Sequence, residues 1–88
     1  NRDTLIGMRR FPDGTIAHVS RSGHFTRLDK NYKEARTFNL PWSGLNATGA
    51  DILPDDRVVV SLSSPTPRVA CFAPDGKKLW EVAANSPL

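Results

Sequence analysis

Apolar residues gather in short β-prone runs along this chain, and turn residues separate the runs. Leu5–Phe11, Thr15–Ser20, His24–Leu28 and Lys33–Phe38 carry the pattern once. Ala47–Leu53, Arg57–Leu62, Arg68–Phe72 and Lys78–Val82 carry it again. Runs of this length bounded by turn residues each predict a β-strand, in which successive side chains point to opposite faces. Pro12-Asp13-Gly14 and Pro74-Asp75-Gly76 lie between such runs, and Pro54-Asp55-Asp56 holds the matching place in the second set. Proline presets φ, aspartate bonds to its own backbone and glycine accepts positive φ, which predicts hairpin turns. Val58-Val59-Val60-Ser61-Leu62 is apolar on both faces, so it requires cover on both sides. Thr15–Val19 shows the same trait more weakly. Lys33, Glu34, Ala35 and Arg36 are good helix formers by themselves. Their counterpart, Lys78–Val82, follows a Pro/Gly turn and reads as a strand, so a strand is predicted in both places.

The two sets are one unit written twice. Phe11–Ser20 returns as Leu53–Leu62, with Pro12 and Pro54 in register, and Leu28–Phe38 returns as Phe72–Val82. Repeats of 40-odd residues made of short strands and turns point to β-propeller blades. The expected fold is all-β: two four-stranded antiparallel blades, residues 1–40 and 41–88, belonging to a larger or oligomerically closed propeller. Asn39–Asn46, punctuated by Pro41 and Gly44, is the expected crossing from one blade to the next.

Composition narrows the class without naming a chemistry. Of 88 residues, 39% are hydrophobic and 24% charged, and mean hydropathy is −0.39. No apolar run approaches the roughly 20 residues of a membrane-spanning helix. The net charge of +3 comes from 12 basic and 9 acidic side chains spread along the chain. That spread is a solvated surface; a nucleic-acid footprint needs clustering on one face. A chain opening on Asn1 reads as processed or excised, so no compartment is assigned. The one cysteine, Cys71, forbids an internal disulfide and sits in a strand-like run, which makes it a buried structural thiol.

Candidate chemistry is sparse. His18 and His24 are the only histidines and need a third ligand to hold a metal; packing is the expected role. No hydrolase triad, nucleophile elbow or phosphate-binding glycine loop occurs. Asp55 and Asp56 read as turn residues. Asn46-Ala47-Thr48 fits the short glycosylation pattern. Arg9 and Arg10, with Arg2, are candidates for a basic spot or simply a solvated strand end. Trp42 is either an exposed aromatic anchor for a partner or a cap on the apolar edge between blades.

Ala73–Val82 resembles the closing half of a blade in the pyrroloquinoline-quinone-like propellers. Gly76, Lys77 and Trp80 match its Gly-Lys-x-x-Trp part, while the motif's aspartate is displaced to Asp75. The first repeat departs, with Tyr32 in place of Gly76 and Arg36 in place of Trp80. NHL-like propellers share the looser strand, Pro-Asp-Gly, strand motif. The resemblance covers residues 5–82. It implies that Trp80 packs at a blade–blade contact; Val58, Val59 and Val60, in the strand apolar on both faces, are the other expected packing residues. The quinone cofactor and its Ca²⁺ do not carry over, because no set of carboxylates and amides matches those ligands; no cofactor is expected.

The resulting expectation is a non-catalytic binding scaffold, not an enzyme, with Trp42, Arg9 and Arg10 as candidate contacts. Its expected partners are copies of itself or further blades, and a protein or carbohydrate ligand, with no membrane. Two alternatives stand beside it. One is a segment of a quinoprotein-like or sulfotransferase-like propeller enzyme whose active site lies in other blades. The other is a designed or excised repeat with no selected activity.

Overall fold

The computed structural model describes residues 3–42 and 45–83. It contains eight strands and, among the described residues, no helix: β1 Leu5–Arg10, β2 Ile16–Ser20, β3 His24–Leu28, β4 Glu34–Asn39, β5 Ala47–Ile52, β6 Val58–Leu62, β7 Arg68–Phe72 and β8 Lys78–Ala83. They form two four-stranded sheets in the orders β1-β2-β3-β4 and β5-β6-β7-β8, with every neighbour antiparallel. The helix-prone stretch around Lys33–Arg36 is strand β4. Its pairing to β3 overrides a weak local preference, because Phe38 stacks on Phe25 with centroids 4.2 Å apart.

Four turns share one hydrogen-bond pattern. The amides of Phe11, Asp29, Leu53 and Ala73 donate to the carbonyls of Thr15, Lys33, Arg57 and Lys77. The fourth residue of each turn takes positive φ: Gly14 at 91°, Tyr32 at 65°, Asp56 at 71° and Gly76 at 89°. In three of them the aspartate at the third place accepts from the amide two residues on, as in Asp13 to Thr15 at 2.9 Å. Tyr32 therefore does the backbone work of Gly76 at the same place in the repeat. A side chain there costs roughly 1–2 kcal/mol relative to glycine.

The front face of the first sheet carries Gly7, Ala17, Val19 and Phe25. It packs on the back face of the second, which carries Ala50, Ile52, Val58, Val60, Leu62, Ala70 and Phe72. Contact is closest between β1 and β5. A Cβ on Gly7 would lie 2.5 Å from the Ala50 carbonyl oxygen, so glycine is required there. Val58 and Val60 are fully buried, and burial of each contributes about 1.5–3 kcal/mol. Val59 and Ser61, on the opposite face of β6, are only half-buried. The expected cover on both sides of β6 is thus present on one side within this chain, because two sheets make one interface.

Turn and strand-end carboxylates give the fold an acid limit. The Thr15 hydroxyl and amide hold the Asp13 carboxyl below its ordinary range, and the Lys78 ammonium, with Arg68, does the same for Glu81. A depressed folded pKa adds stability above the unfolded value and loses it as pH falls through the folded one. The thermal midpoint is expected to hold from neutral pH to about pH 5 and to decline below about pH 4. A midpoint unchanged down to about pH 3 would contradict this.

Candidate functional site

The densest charged group joins the two sheets. Arg27 on β3 and Arg36 on β4 both donate to the Asp56 carboxylate, the latter at 3.1 Å. The Asp56 side chain is 8% exposed and that of Arg27 is 15% exposed, so this pair is shielded from water. Arg27 also donates to the Thr15 hydroxyl at 2.8 Å and to the Pro54 carbonyl at 3.1 Å. Its guanidinium lies 4.4 Å from the Phe11 ring centre. Both terminal nitrogens of Arg27 are engaged by the protein itself, so the group acts as a clamp between sheets.

An open cleft of about 450 Å³ lies where β1 and β5 begin. Thr4, Leu5 and Ile6 line one side, Asn46, Ala47 and Thr48 the other, and Arg21 closes it. Arg21 donates to the Asn46 side-chain oxygen, and the Asn46 amide donates to the Ser63 hydroxyl. Asn46 of the glycosylation pattern is thus tied into the crossing between sheets.

The candidate contacts separate in space. Trp42 is fully buried; its indole N–H donates to the Ser20 carbonyl at 3.3 Å and its ring meets Phe72 edge-on at 5.7 Å. It is a plug in the core between the sheets, which corrects the reading of an exposed anchor. Arg9 donates to the Ile52 carbonyl at 3.1 Å and pairs with Asp51 at 3.4 Å. Arg10, next along β1, points to the opposite face by strand alternation and is exposed. The two arginines therefore form no common basic spot, and Arg2 lies outside the described residues.

His24 bonds Asn39 at 3.0 Å, and His18 pairs across the strands with Thr26. Among the described residues no group of three potential metal ligands converges. Cys71 is buried, and desolvation pushes its thiol up from the ordinary range, with Asp55 adding to the push and Arg57 opposing it.

Trp80 is 45% exposed and Val82 55% exposed, on the front face of the second sheet with Val59, Val69 and Cys71. Met8, 71% exposed, stands on the back face of the first sheet with Ile16 and His18. Sequence reasoning missed the clamp. The available signal was Asp56 itself, a carboxylate where the repeat elsewhere has Gly14 and Gly76.

No protein-family model matches the chain, and no curated protein is similar to it. A protein of unknown function from Bacteroides caccae, solved at 1.35 Å, superposes with a TM-score of 0.54 at 16% identity. The match covers 90% of this chain and 28% of that one, so the present chain spans under a third of its length. At that identity the likeness shows the fold alone: an all-β protein of two stacked four-stranded antiparallel sheets.

Proposed function

We propose that this chain is a two-blade module of a β-propeller and serves as a non-catalytic binding scaffold. The observation carrying this reading is the direction of stacking. The front of the first sheet lies on the back of the second, and the second sheet's front, with Trp80 and Val82, is left bare. Stacking that always runs front to back continues around an axis, as blades do. An apolar sheet face left in water is a liability, so further blades or copies of the chain cover it. Trp80 is then a packing residue at the next contact, with Val59 beside it. The turns and the cleft at Thr4, Arg21 and Asn46 form the rim on which a protein or carbohydrate ligand would sit.

Light scattering on the chain tests the assembly. The expected result is a species heavier than one chain; a well-folded monomer at micromolar concentration overturns the propeller reading. Retention of soluble glycans or peptides on the immobilised chain tests the scaffold role, and conversion of a retained molecule would overturn its non-catalytic part.

A further inference from the structure

We infer that the bare front of the second sheet binds the back of the first sheet of a second copy of this chain, in the register that joins the two sheets within one chain. This rests on the blade reading and adds the occupant and the contact. Three observations carry it.

The first is a glycine without an internal reason. Gly49 stands in β5 at the place Gly7 holds in β1, and its φ is not in the left-handed region. A Cβ on Gly7 would collide with the Ala50 backbone of the neighbouring sheet, whereas a Cβ on Gly49 would meet, among the described residues, only the Ser61 hydroxyl oxygen at 3.6 Å. Glycine inside a strand marks close approach of another backbone. The repeat equates Ala50 with Met8, so the approaching strand in a second copy is its β1 at Met8. Met8 is 71% exposed and has a side chain long enough to fill the room over Gly49.

The second is charge. Arg9 pairs with Asp51 inside the chain. By the repeat, Asp51 in the next contact takes the place of Arg9 and meets Arg9 of the copy. The inner strands of an assembly then present alternating positive and negative side chains.

The third is polarity that changes on both surfaces together. The internal interface joins Arg27 to Asp56; the equivalents on the outer surfaces are Cys71 and Gly14, and neither is charged. Val19 and Val60 are buried in the internal interface; their equivalents are Ser61 and His18, and both are polar. His18 Nδ1 is buried without a hydrogen-bond partner among the described residues. A contact of this kind is head-to-tail, and closing it into a ring of roughly 4–8 blades takes about two to four copies.

Two variants test the register, with mass and circular dichroism read together. Gly49→Ala is expected to keep the β-sheet spectrum and raise the concentration for half-association about tenfold or more, because its Cβ obstructs only the second copy. In a Cys71→Ala background, Ser61→Cys and His18→Cys chains joined by a short bismaleimide are expected to cross-link when mixed and not singly. Association unaffected by Gly49→Ala overturns the inference, as does self-cross-linking of Ser61→Cys, which signals face-to-face pairing. In the first case the chain still associates and the blade reading stands; front-to-front pairing in the second also breaks the front-to-back stacking on which that reading rests. A parent chain that stays monomeric overturns both.

Discussion

Trp42→Ala is expected to cost about 3–5 kcal/mol, the range for deleting a buried large aromatic. A domain of this size holds roughly 5–15 kcal/mol in total and sits at the low end of that range, so much of the population would unfold. The reason is the position of the ring. Trp42 leaves the crossing between the sheets and fills the space between them, edge-on to Phe72, with no exposed surface. Alanine leaves a cavity that neither sheet can close without moving its backbone ladder. Trp42→Phe keeps part of the volume and loses the bond to the Ser20 carbonyl, so its cost is smaller, about 1–2 kcal/mol. Urea unfolding at fixed protein concentration measures both, with Trp80 as the remaining fluorophore in each variant. A loss under about 0.5 kcal/mol for Trp42→Ala would favour the exposed-anchor reading of Trp42 over the cap between blades.

Asp56→Ala is expected to cost about 3 kcal/mol or more, because it leaves the shielded Arg27 guanidinium without its carboxylate. Part of the cost is backbone: alanine must hold the φ of 71° that aspartate tolerates better. Asp56→Gly removes the same charge without that strain, and the difference between the two variants isolates the backbone share. Arg36→Ala should cost no more than about 1 kcal/mol, since that side chain is 51% exposed. Replacing both partners, Arg27→Met with Asp56→Gly, should recover part of the loss because no buried charge is left unpaired. Chemical unfolding of the four variants measures these costs. If Asp56→Ala costs less than about 0.5 kcal/mol, the clamp does not hold the sheets together.

The strands and turns were legible because their causes are local. The β-prone run Arg68–Phe72 is a property of neighbours, and Pro-Asp-Gly carries its own turn geometry. Even the ambiguous Lys33–Phe38 stretch was resolved within the sequence, by its likeness to Lys78–Val82. Arg9 and Arg10 show where local reading misled: adjacency suggested one basic spot, and strand alternation sends the two side chains apart. Asp55 and Asp56 were correctly read as a turn, yet nothing nearby shows that Asp56 reaches Arg27, 29 residues away in the chain.

Sequence alone determined that this protein is built of two like four-stranded units, because hydrogen-bonded hairpins depend on period and turn residues within a few positions. Only the tertiary structure decided which face of each unit meets the other, that Trp42 fills the space between them, and that Asp56 clamps them. Those outcomes depend on groups far apart in the chain arriving at the same place, and no local pattern records such a meeting. The contrast between Gly7 and Gly49 belongs to the same level: they hold matching places in β1 and β5, yet a Cβ would collide with a backbone carbonyl at the first and make ordinary contact with a hydroxyl at the second.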